Sequence, residues 1–241
     1  MPAQDPERQS VAEQDIATDL WLRRAQPRQA LEHALEALRL NDENAEASHL
    51  AAQLFLFFCL GAPHECRPAE AERHARRALE LKPDFREARN TLGVVLIHRK
   101  RYREAVAVLR PLSEDILYQT PEQAWGNLGW AYLHDGQLDL AVEALRRSVA
   151  AQPLFCVGHY RLGVALERKG SPAAAVEAFG RALTTEHPSC KGLQEAFAGR
   201  GRLLQKLGRA DEAEADLGRC VELDRQSAAG RECASLLGQP R

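Results

Sequence analysis

Apolar residues recur along this chain at helical spacing rather than in strict alternation. Between Pro121 and Pro153, Trp125, Leu128 and Tyr132 fall on one helical face, followed by Gly136, Ala141 and Leu145. Each position has a physical reason. Gly129 lets a partner helix approach closely, and Gly136 ends the first helix with a residue that tolerates positive φ. Ala141 is small where two helices cross, and Pro153 stops the second helix. The pattern returns after Pro83 with Leu92, Gly93, Leu96, Ala105 and Leu109. After Pro153 it continues with Leu162, Gly163, Leu166, Gly170, Ala175, Phe179 and Ala182, then with Gly201, Leu204, Gly208, Ala213 and Leu217. Upstream, Ala71, Ala75 and Ala78 before Pro83 mark a second helix, and Ala30, Ala34 and Ala37 an earlier one. The period is about 34 residues.

These columns resemble the tetratricopeptide repeat, which implies an all-α superhelical solenoid of six helix-turn-helix units. The repeats are expected at residues 11–41, 42–83, 84–112, 121–153, 154–187 and 193–226, within one domain over 11–241. Residues 227–238 then form the capping helix a repeat array needs at its end. Residues 1–10 are polar and are expected to be a disordered tail.

Departures from the period mark candidate partner-specific features, although surface loops are tolerated on the same evidence. The second unit carries seven extra residues between its helices, in the segment CLGAPHEC from Cys59 to Cys66. Pro111 is expected to bend or stop the third unit's second helix, and an irregular stretch, Ser113 to Thr120, follows it. About four extra residues precede the sixth unit, near Cys190. Cys59, Cys66 and Cys190 lie at such places, Cys220 and Cys233 near the C-terminus, and Cys156 one repeat before Cys190. An even count points to disulfides and an oxidising compartment, the alternative being small hydrophobes in helix packing. The expected pairs are Cys59–Cys66, Cys156–Cys190 and Cys220–Cys233. Cys156 and Cys190 are both placed at the start of a first helix. Stacked helices are about 8–10 Å apart, so the extra residues at Cys190 must supply the approach.

Composition adds mainly exclusions. Residues are 45% hydrophobic and 27% charged with 6% aromatic, and Ala, Leu, Glu and Arg favour helix over sheet. A net charge of −2 gives no footprint for nucleic acid or an anionic membrane surface. The longest apolar run, Leu54 to Leu60, reads as a buried helix end, too short to span a bilayer. Met1 is the only methionine and precedes a polar stretch, as expected of a start grafted onto a mature protein whose targeting segment lies elsewhere. His64, Cys66 and His74 lack the second cysteine pair of a zinc module. The segment Gly199–Leu204 is glycine-rich, but no strand precedes it and Gly201 is the repeat's packing glycine. Glu212 and Glu214 read as a solvated helix face. No nucleotide, hydrolase or metalloprotease motif occurs, so no catalytic residue, metal or cofactor is expected.

In the tetratricopeptide family the first helices line the concave surface. Residues two and five positions after each packing leucine then face the groove. This assigns Val94 and Ile97, Trp130 and Leu133, and Val164 with Glu167, together with Tyr160 and, at equivalent places, Leu56 and Phe57. An apolar stripe of this kind implies a protein partner offering an amphipathic helix or hydrophobic segment, with Trp130 the leading anchor. The alternative is that the chain's own N-terminal segment or helix curvature buries some of these residues. The clamp by which some tetratricopeptide proteins hold acidic chaperone C-termini would fall at His49, Asn90, Gly126 and Tyr160, which lack its basic pair.

Over its whole length the chain resembles the PilF/PilW/Tgl group of type IV pilus pilotins. The likeness is carried by six repeats, the break after the third, the run LYQTPEQAWGNLGWAYL, and GLQEAFAGRGRLLQKLGRADEAEADLGRCVELD near a cysteine-containing C-terminus. It implies a monomeric outer-membrane lipoprotein facing the periplasm, held at the membrane only through a lipid anchor. Such a protein binds secretin subunits and promotes their outer-membrane localisation and multimerisation. The alternative is a tetratricopeptide scaffold for another periplasmic or cytoplasmic complex.

Overall fold

The computed structural model describes residues 5–61, 63–185, 190 and 192–238. They form helices α1 (Pro6–Leu22), α2 (Pro27–Leu40), α3 (Ala45–Gly61), α4 (Pro68–Leu81), α5 (Arg86–His98) and α6 (Tyr102–Ser113). These are followed by α7 (Pro121–His134), α8 (Leu138–Ala151), α9 (Cys156–Arg168), α10 (Pro172–Thr184), α11 (Gln194–Lys206), α12 (Ala210–Leu223) and α13 (Ala228–Leu236). One 3-10 turn, Pro63–Glu65, follows α3, and no strand occurs among the described residues. By packing, the chain divides into two compact units, Met1–Tyr118 and Gln119–Arg241, where the sequence reads as one array.

The first unit holds three antiparallel helix pairs, α1/α2, α3/α4 and α5/α6. Alanines at helical spacing make them pack closely: Ala30, Ala34 and Ala37 of α2 and Ala71, Ala75 and Ala78 of α4 are fully buried. Residues 6–10 are helical, which corrects the expected tail over 1–10; residues 1–4 lie outside the described residues. Pro6 at the first helical position and Asp5 as cap, accepting from the Glu7 N–H at 3.1 Å, start α1 early. Buried Ser10 fixes it, donating to the Ala37 carbonyl at 2.8 Å and accepting from Asn44 at 3.0 Å.

Two irregularities also differ from expectation. The insertion after Cys59 is partly an extension of α3, which runs on to Gly61 before the turn and the Cys59–Cys66 disulfide. Helix α6 passes through Pro111 to Ser113 without being stopped there, since only two further residues depend on it. The irregular stretch is residues 114–120. Buried Glu72 of α4 accepts from Arg76 at 2.8 Å and Arg101 at 2.6 Å, with Arg99 also paired to it, and so ties α4 to the α5–α6 turn.

The second unit holds pairs α7/α8, α9/α10 and α11/α12, with α13 packed on the last. Gly129 of α7 faces Leu145 of α8 so closely that a Cβ there would stand 2.6 Å from its Cγ. Gly136, with φ of 81°, turns α7 into α8. The Cys156–Cys190 disulfide joins the first residue of α9 to a point four residues before α11, with Cα atoms 5.8 Å apart. Cys190 therefore lies in the connection, not at a helix start. Its neighbours 186–189 and 191 lie outside the described residues. Cys220–Cys233 joins α12 to α13. No helix among the described residues is long and apolar enough to cross a membrane.

Candidate partner-binding faces

Each unit carries part of the expected apolar stripe on its first helices. In the first unit, Leu56 and Phe57 come from α3, and Val94 and Ile97 from α5, the next first helix, packed beside it. Leu56, Val94 and Ile97 are half-buried and Phe57 is 44% exposed. Trp21, at the end of α1, meets Phe57 edge to face with centroids 4.9 Å apart and covers one side of it. The N-terminal hairpin thus shields part of this face.

In the second unit the face is built by α7 and α9. Trp130 and Tyr160 rings lie 6.3 Å apart, His134 stands edge-on to Trp130 at 4.7 Å, and Tyr160 leans on Phe179 at 6.0 Å. Trp130, Tyr160 and Val164 are half-buried. Leu133 is not part of an open face: it is 1% exposed and belongs to the core, a correction to the five-residue offset. Five residues advance the helix by 140° from the packing leucine, against 160° the other way for two. The first offset lies close enough to the core side for a neighbour to cover it.

Two residues the sequence reading gave no role belong to this face. The Arg161 guanidinium lies over Trp130, 5.4 Å from its ring centroid, and donates to Asn127 Oδ1 at 2.8 Å. Burial pushes the Arg161 pKa down to about 10. His134 is held below its usual value first by burial and then by the charges of Arg168 and Arg161. The only signal in the sequence was a charge amid apolar neighbours in YRLGV, and surface arginines are too common for that to stand out.

The clamp positions offer no pair of cations. His49 is buried, bonded to Thr91 at 3.0 Å and set edge-on to Phe85, and burial pushes its pKa down to about 4. Gly126 is buried and closed in by Ser148 and Phe155, which a Cβ there would meet at 3.0 and 3.2 Å. Nor do the metal-like residues converge. His74 stacks on Phe55, His64 pairs with Glu65 at 3.2 Å, and Cys66 is in a disulfide. Cys59, Cys66 and His98 do lie within 4.8 Å of one another, but both sulfurs are spent in their mutual bond and offer no thiolate. Glu212 is paired with Arg209 at 2.7 Å on an exposed face.

A family model described as a tetratricopeptide repeat matches residues 65–116, and a second so described matches 122–153 and 194–227. No curated protein sequence matches the chain. Among solved structures, PilW, described as a widely conserved type IV pilus biogenesis factor, aligns at 25% identity with a TM-score of 0.77. That alignment covers 95% of this chain and 98% of PilW. PilF of Pseudomonas aeruginosa aligns at 20% identity and TM-score 0.74, over 96% of this chain and 99% of its own, a likeness of fold. MamA from Desulfovibrio magneticus RS-1 aligns at 25% identity and TM-score 0.61, over 74% of this chain and 95% of its own. By the repeats it carries and the all-α fold they build, the chain is a tetratricopeptide-repeat protein related in structure to the type IV pilus biogenesis factor PilW.

Proposed function

We propose that the chain is a non-enzymatic pilotin that works as a monomer at the periplasmic face of the outer membrane, held there by a lipid anchor. It binds secretin subunits and promotes their localisation and multimerisation during type IV pilus biogenesis. The observation that carries this reading is the likeness to PilW over 95% of the chain, rather than over one run of repeats. Three disulfides add support, because such bonds persist in oxidising compartments such as the periplasm. The half-buried aromatic and aliphatic faces of both units fit a hydrophobic or amphipathic segment that needs shelter before it inserts. Release then follows when oligomerisation buries the same segment elsewhere.

A pull-down of secretin monomers tests the proposal, with Trp130→Ala on the second unit and Ile97→Glu on the first. Capture falls in at least one variant if these faces hold the subunit. Unchanged capture by both removes the faces from the mechanism. No capture by the wild-type chain leaves a scaffold for another complex as the better reading.

A further inference from the structure

Arginines withdrawn from solvent in the second unit are otherwise matched by carboxylates. Arg200 holds Asp216 through two bonds of 2.6 Å, and Arg202 holds Glu167 at 3.0 Å and pairs with Glu232. Arg161, withdrawn to a similar degree, has no carboxylate within ion-pair distance among the described residues. Its partners are one amide oxygen and the face of Trp130. A guanidinium offers five N–H donors, and a half-buried charge left without a counter-charge costs stability. Cost of this kind persists where function uses it. The local field has the same sign: His134 beside Trp130 senses Arg161 and Arg168 as nearby charges. The acidic groups that reach Tyr160 are Glu195 and Glu167, the latter engaged by Arg202.

We infer that Arg161 anchors an acidic side chain of a partner segment whose neighbouring apolar residue rests on Trp130 and Tyr160. This deepens the proposed function and relies on the second unit's face being a docking surface. The planar fork suits a carboxylate, which it can hold through two parallel bonds. The acid belongs to the interior of a segment, not to a chain end. Val157 and Val164, four residues before and three after Arg161, are both half-buried on the same side of α9. Apolar surface therefore continues past the cation in both directions. A single unpaired guanidinium also matches one carboxylate, where an acidic terminus would bring two.

Random 12-residue peptides displayed within a loop of a carrier protein, with no free terminus, are the probe. Selection on the wild-type chain should enrich Asp or Glu next to an aliphatic or aromatic residue. Replacing that Glu by Gln in a selected peptide should weaken binding about tenfold or more. The Arg161→Gln chain should bind both peptides alike, and Arg161→Lys should retain part of the discrimination. Arg161→Gln should melt no lower than wild type, because it removes an uncompensated charge, so loss of discrimination would not reflect unfolding. Absence of acidic enrichment, equal binding of the Glu and Gln peptides by wild type, or discrimination surviving Arg161→Gln overturns the inference. So does enrichment that appears only with a free C-terminus. Peptides lost on Trp130→Ala yet indifferent to the Glu-to-Gln change keep the docking face and remove the anchor alone. Acid-dependent peptides indifferent to Trp130→Ala count against the face itself.

Discussion

Gly129 and Gly218 differ in what one methyl group would meet. At Gly129 a Cβ would stand 2.6 Å from Leu145 Cγ and 3.2 Å from the Ala141 carbonyl oxygen, so α7 and α8 would have to part. At Gly218, within α12, nothing lies within 4 Å. Gly129→Ala is therefore expected to cost about 1–3 kcal/mol by overpacking. Gly218→Ala should gain about 0.5–1 kcal/mol through helix propensity. Urea unfolding of both variants checks the opposite signs; two losses would mean that the close approach is not what distinguishes them. Gly129 was legible in the sequence because its spacing from Trp125 and Tyr132 recurs elsewhere in the chain. Leu133 and Arg161 were not. Whether a half-turn position is covered, or a charge has a partner, depends on residues about thirty positions away, and periodicity within one helix carries no information about them.

Glycine and proline mark helix ends legibly at Gly136 and Pro153, but not at Pro6, which starts α1, or at Pro111, which α6 passes through. Sequence pattern says least where polar residues form a partly buried helix. The start of α1 looked like tail because PERQS has no apolar stripe, yet Ser10 is buried and bonded to two partners. The cap was easier to foresee. At nine residues, α13 is too short to be stable alone and depends on its attachments. Its cap Ser227 accepts from the Gly230 N–H at 2.8 Å and donates to Gln194 Oε1 at 2.7 Å. The Gln194 amide in turn donates to the Cys220 carbonyl at 2.6 Å and the Asp224 carbonyl at 2.7 Å. The Cys220–Cys233 bond closes a short loop, a constraint worth about 3 kcal/mol. Replacing both cysteines by serine should lower protection from amide exchange across α13 and the end of α12 first, with α7 and α8 unchanged. Uniform loss of protection across the second unit would show that α13 is not a separately held element.

Across the whole molecule, net charge is close to balanced at −2, so its response to pH is set by particular buried groups. Burial pushes the pKa of His49 down to about 4, against weaker opposing effects of Glu87 and Glu46. Burial, with Arg73 adding to it and Glu70 opposing, pushes His74 down to about 4 as well. His134 and His159 are lowered too, chiefly by burial. All four are more easily protonated in the unfolded chain, so unfolding takes up protons and stability rises with pH. The contribution is complete above the unfolded histidine value of about 6.5 and is lost as pH falls towards 4. At about 1.4 kcal/mol per pH unit between 4 and 6.5, His49 and His74 account for roughly 3 kcal/mol each at most. Melting temperature measured from pH 7.5 down to 4.5 should therefore fall through this window, before most exposed carboxylates titrate. A His49→Gln, His74→Gln double variant keeps hydrogen-bonding side chains in place and should flatten that fall. If the variant has the same slope as wild type, acid sensitivity resides in the carboxylate pairs, such as those around Glu72, rather than in the buried imidazoles.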